Sequence, residues 1–322
     1  MLVNIKKSLL CISAISCMSL YASTIKVDSD ITIGSTPSVP TETGYNYWLD
    51  GKTYVFNRSS NNNDTYWIAY NKVTIDNGYT LKLITTGYDD CYYYVLYCLN
   101  TFTNNGNVTI DNYGALLIDY DNTTEDNPIG TSINNGTIDI NNGLITLRRS
   151  AILNNTGTIT LKGRSFIDID DSSTLTNAGT ITLKDSSFIF ICDMNSTLTN
   201  KGTIDISNIT DLSYWYNDGT FKLEGGSTFI LPKSISSKVS TSYWSKPITL
   251  NGTTSNKVNI VIPKDCKYIK YIDNDNKGVL FCTIQEATGL TFNGLTFDGN
   301  KDNVNFSWQT SLDNECEYVD EC

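Results

Sequence analysis

The chain has no histidine anywhere in its 322 residues. That absence excludes Ser-His-Asp and Cys-His nucleophilic catalysis, most catalytic zinc sites and all imidazole acid–base chemistry. An enzyme built on this chain would have to use carboxylate, lysine, arginine or tyrosine groups. Charge is also scarce, at 18% of residues, and leans acidic, with a formal net charge of −11. An acidic chain gains nothing from phosphate attraction and is repelled by anionic lipid, so neither nucleic acid nor a membrane surface is an expected partner. Beyond the N-terminus no apolar run is long enough to span a bilayer as a helix. No proline- or glycine-rich linker divides the chain, and 40% hydrophobic residues suffice for a continuous core, so it reads as one elongated domain.

What the sequence does contain is a repeat. Asn-x-Gly followed by an alternating Thr-Ile-x-Ile run occurs at Asn104–Ile110, Asn134–Ile140, Asn155–Leu161, Asn177–Leu183, Asn200–Ile206 and Asn217–Leu223. Counted between glycines from Gly106 to Gly219, the steps are 30, 21, 22, 23 and 17 residues. A recurring period in this range means stacked supersecondary units. Alternation of apolar Ile or Leu with Thr, Asp or Lys predicts a strand with one buried face. A second apolar run follows at a constant offset (Phe166, Ile167, Ile169; then Phe188, Ile189, Ile191), and a third, STLTN, occurs at Ser173–Asn177 and Ser196–Asn200. Three short strands per coil of about 22 residues predict an all-β fold, a right-handed parallel β-helix. Leucine-rich and helical repeats do not fit, because no Leu-x-x-Leu-x-Leu pattern is present and β-branched residues dominate. Asn-x-Gly is expected to turn a corner through a positive φ at Gly, with the asparagine amides stacked as a ladder along the solenoid.

The repeats divide the chain into residues 1–22, an N-terminal region 23–100, coils 101–263 and a C-terminal region 264–322. Residues 1–22 carry Lys6 and Lys7, an apolar run from Leu9 and small Ala22, the pattern of a bacterial secretory signal peptide. A competing reading takes Ala14–Cys17 as a lipobox resembling those of bacterial lipoproteins, although Ala14 stands where those carry Leu. Cleavage after Ala22 shifts the formal charge to −13, with 34 acids against 21 bases. The region 23–100 is rich in Tyr and Trp and is expected to cap the solenoid. Its densest run, GYDDCYYYVLYC, makes Tyr88, Tyr92, Tyr93, Tyr94 and Tyr97 the candidate binding residues, because aromatic faces stack on sugars. The region 264–322 is expected to cap the other end.

After cleavage seven cysteines remain. Export permits disulfides, and close spacing suggests Cys91 with Cys98, Cys266 with Cys282 and Cys316 with Cys322. Cys192 is then left as a thiol in or beside the core. With no CxxC and no histidine, no metal site is expected. Calcium is the one ion with sequence support, from the acidic stretches Asp119–Asp126 and Asp273–Gly278, each an incomplete calcium loop.

Right-handed β-helices include pectate lyases and polygalacturonases, so carboxylate attack on polysaccharides is the enzymatic hypothesis. The candidate catalytic residues are Asp168 and Asp170 in FIDIDD, which a strand places on one face, where they would serve as acid and base or bind calcium. No Arg or Lys stands near them in the repeat pattern, and the bland alternative is a solvated acidic edge.

The Asn-x-Gly-Thr-Ile-x-Ile coils of Asn104–Leu223 resemble the β-helical passenger domains of bacterial autotransporters and related surface adhesins. The resemblance implies a secreted, cell-surface or outer-membrane-associated protein that binds glycans or host surface molecules. Two features depart from that family: the chain ends without the membrane strands of a translocator, and it keeps seven cysteines. A polysaccharide lyase or glycoside hydrolase and a purely structural surface protein are the alternative readings.

Overall fold

The computed structural model describes residues 24–26, 30–35, 46–59, 67–86, 93–120, 130–210, 215–232, 246–262, 273–274, 277–278, 290–292 and 295–308. Apart from one 3-10 turn at Lys301–Asn303, every regular element among them is a strand. Consecutive coils stack as a parallel β-solenoid, and each regular coil has three walls. One coil runs through Ile152–Asn155, Thr158–Lys162 and Phe166–Ile169; the next through Thr174–Asn177, Thr180–Asp185 and Phe188–Ile191.

The register between coils brings like residues together. Leu153 pairs with Leu175 and Leu175 with Leu198 on the first wall; Ile159, Ile181 and Ile204 follow one another on the second; Ile167 pairs with Ile189 on the third. All of these side chains point inward and are at most 1% exposed. Each contributes about 1.5–3 kcal/mol by burial, and the contribution recurs with every coil. A one-residue slip would turn every inward residue to solvent, which is why the alternation fixes the register.

The asparagine ladder forms as expected. Asn104 Nδ2 donates to Asn134 Oδ1 (2.7 Å), Asn134 to Asn155 (2.6 Å), Asn155 to Asn177 (2.6 Å) and Asn177 to Asn200 (2.8 Å), and all five residues are fully buried. The glycines beside them serve a different purpose from the one expected. None of Gly106, Gly136, Gly157, Gly179 and Gly202 has a positive φ. They stack on one another, so that a Cβ on Gly157 would overlap Gly136 O, and one on Gly179 would overlap Gly157 O. Close approach of backbones, not left-handed backbone, demands glycine here. Positive φ falls at the other two corners instead, at Gly163 (63°) and at the successive pairs Arg149–Ser150 and Asp171–Ser172 (52° and 63° in each).

The last sequence repeat is out of phase. Thr220 of NDGTFKL pairs with Thr197 of STLTN, so the strand of this copy lies on the first wall rather than the second, and Asn217, paired with Ile191, ends the third wall. Its 17-residue step is too short for a full coil. The parallel stack also runs beyond the repeats into both regions expected to be caps. Thr53–Ser59 pairs with Thr80–Thr86, which pairs with Asn107–Asp111, while Val258–Ile262 pairs with Val304–Trp308. At the N-terminal end, Asn46–Asp50 pairs antiparallel to Thr53–Ser59, so the direction of pairing reverses at that end of the second wall.

Candidate functional site

The three walls differ in what they show to the outside. On the first and second walls every other residue is buried and those between, mainly Thr with Asn, Asp and Lys, are half-exposed. Thr158, Thr160, Thr180 and Thr182 form two such rows on the second wall, and Thr174, Thr176, Thr197 and Thr199 form two on the first. On the third wall both faces are buried, throughout Gly114–Asp119 and Phe166–Ile169. Register sets the outward rows there: Ala115, Leu144, Phe166 and Phe188 in one, and Leu117, Thr146, Asp168, Phe190 and Tyr216 in the next. The apolar members form a cluster separate from the solenoid core. Phe166 stacks on Phe188 with centroids 4.9 Å apart and planes at 13°, and Phe190 meets both edge to face at 5.7 and 4.7 Å.

Asp168 lies inside this aromatic layer. The sequence suggested an exposed acidic edge, but the side chain is 7% exposed. Its hydrogen-bond partner among the described residues is the Cys192 thiol, which donates to Oδ1 at 3.2 Å. Burial above all, then the neighbouring Asp170, push its pKa up to about 7, against the opposing effects of the Cys192 hydrogen bond and Arg148. Asp170 is half-buried and accepts the Asp171 N–H at 2.9 Å. Burial raises its pKa too, offset in part by that bond and by Arg148.

Arg148 corrects a second expectation, that no cation stands near the pair. It lies one coil back at the corner leaving the third wall. Leu147 pairs with Ile169, so Arg148 falls level with Asp170, and Nη2 is 3.8 Å from Asp170 Oδ2. Arg149 turns the other way: its Nε and Nη2 bond the two oxygens of buried Asp119 at 2.5 and 2.7 Å. The sequence carried the signal in the Arg-Arg pair of LITLRRS, but only the register shows which carboxylate each reaches.

Of the candidate binding tyrosines, Tyr97 is half-buried, stands opposite Leu117 and donates to Asp119 Oδ2 at 2.8 Å. Tyr93 and Tyr94 open the strand Tyr93–Asn104, opposite Gly114 and Ala115. Tyr88 and Tyr92 lie outside the described residues. Cys192 is a partly buried thiol beside the aromatic layer, as expected. Cys98 is fully buried in the solenoid core, where burial pushes its thiol up to about 12. Its suggested partner Cys91, and Cys266, Cys282, Cys316 and Cys322, lie outside the described residues. No group of three or more metal-ligating side chains occurs among the described residues. Asp119, the first residue of one suggested calcium loop, is instead held by Arg149 and Tyr97, and residues 121–129 lie outside the described residues.

In chemical terms, two neighbouring carboxyls with one pushed up to about 7 suit acid–base chemistry, but Asp168 is buried among the outward rows of the third wall. The open surfaces are the two polar walls. No family model, curated protein or solved structure matches the chain.

Proposed function

We propose that this is a secreted or surface-exposed bacterial β-solenoid that works as an adhesin-like interaction protein, binding glycans or host surface molecules. The observation that carries this reading is the contrast between walls: the first and second present flat, half-exposed, in-register rows of Thr, Asn, Asp and Lys, whereas the third is closed. Repeated hydroxyls on a rigid sheet offer many weak polar contacts along an extended partner, which together give avidity. The tyrosine run Tyr88–Tyr97 adds stacking contacts in this reading. The N-terminal signal pattern supports a place outside the cell. A polysaccharide-cleaving enzyme is the second reading, favoured by the Asp168 pKa near 7 beside Asp170.

Native electrophoresis through gels cast with soluble polysaccharides separates the two. Retarded migration over an intact polysaccharide stain supports binding; a cleared track supports cleavage. If neither occurs with any glycan, the glycan ligand fails and a host protein partner or a structural surface role takes its place.

A further inference from the structure

Independently of that reading, we infer that the outer face of the third wall is a pH-sensitive closure, in which ionisation of Asp168 loosens the aromatic layer of Phe166, Phe188, Phe190 and Tyr216. A buried carboxylate has room for about four donors, and a thiol is a weak one. Asp168 has only the Cys192 thiol among the described residues. The groups around it compensate only in part for a charge: the Cys192 bond and Arg148 favour the carboxylate, and burial and Asp170 outweigh them. Just past the end of its own strand stands Asp170, also acidic; on the preceding strand Thr146 lies directly opposite, and Arg148 is 3.8 Å from Asp170. On the following strand, Phe190 lies directly opposite with Cys192 beyond it. In the flanking coils Arg149 and Tyr97 are bonded to Asp119, and Tyr216 donates to Asp218.

The closed layer therefore suits the neutral acid. An ionised Asp168 needs further donors, which water supplies, and water reaches it when the rings that flank it, Phe166 on its own strand and Phe190 on the next, part. The protein would then expose an apolar aromatic strip on one flank as pH rises through neutrality, and bury it again on acidification. The solenoid core beneath is a separate cluster and need not change.

Binding of the dye anilinonaphthalene sulfonate to the intact protein tests this, since its fluorescence reports accessible apolar surface. Between pH 5.5 and 8.5 the wild type should show a several-fold rise with a midpoint near 7, while far-UV circular dichroism stays constant. Asp168→Asn should stay at the low-pH level throughout, and Asp170→Asn should keep the transition. A flat wild-type profile overturns the inference, as does a transition that survives in Asp168→Asn. If Asp168→Asn does not fold, the 13C carboxyl titration of wild-type Asp168 decides: a shift coincident with the dye transition supports the inference, and non-coincidence overturns it.

Discussion

Replacing Asp168 with Asn should stabilise the protein at alkaline pH and do little at acid pH. Burial raises the folded-state pKa from 3.8 to about 7. Between those values the folded state holds a proton that the unfolded chain has released, so stability is full below pH 3.8 and falls as pH rises through about 7. At 1.36 kcal/mol per unit, the loss at pH 8 is on the order of 4 kcal/mol. This is an upper bound, because loosening of the layer hydrates the carboxylate. Asparagine keeps the shape and an acceptor for the Cys192 thiol without the charge. The variant should therefore match wild type near pH 4 and exceed it at pH 8 by up to a few kcal/mol, roughly 5–10 °C in melting temperature. Thermal and urea melts of both proteins from pH 4 to 8.5 measure this. Parallel pH profiles for the two proteins would refute the burial argument.

Asn155→Ala removes a rung that donates to Asn177 and accepts from Asn134, leaving both buried amides short of a partner; urea unfolding should show a loss of about 2–4 kcal/mol. Gly157→Ala forces a Cβ against Gly136 O and should cost about 3 kcal/mol or more. Gly51→Ala, at φ +60° with open space around it, should cost only the left-handed penalty of about 1–2 kcal/mol. Equal losses at the two glycines would show that backbone stacking is not what selects Gly157. Arg149→Ala leaves the carboxylate of Asp119 buried with only Tyr97 among the described residues and should cost about 3 kcal/mol in the same assay. Arg149→Lys, which cannot reproduce the two-pronged bond, should recover only part of that loss.

The solenoid was legible in the sequence because its determinants are local: a strand period of two, a corner residue and a coil length. The asparagine ladder followed from the same period. The role of the corner glycines did not, since φ is invisible in a sequence and close stacking and positive φ both select glycine. The out-of-phase copy at Asn217 was hidden for a similar reason: NDGTFKL has the motif's letters, but its place on a wall depends on the length of chain before it. The carboxylate pair is legible in the sequence, but its surroundings are not. Asp168 reads as surface because charged residues usually are, and the ring that stands opposite it, Phe190, is on a strand 22 residues away. Arg148 escaped because its link to Asp170 runs between coils at a corner, where the sequence gives no pairing.

The central claim is that the polar walls are the working surface and the carboxylate layer is not. The most direct test compares how far wild type, Asp168→Asn/Asp170→Asn and Thr160→Arg/Thr182→Arg are retarded in gels containing a polysaccharide that the wild type binds. The account predicts that the carboxylate variant is retarded as wild type is and that the threonine variant, with two long charged side chains on the second wall, runs freely. Retardation, or clearing of the polysaccharide, that is lost in the carboxylate variant and kept in the threonine variant would contradict it.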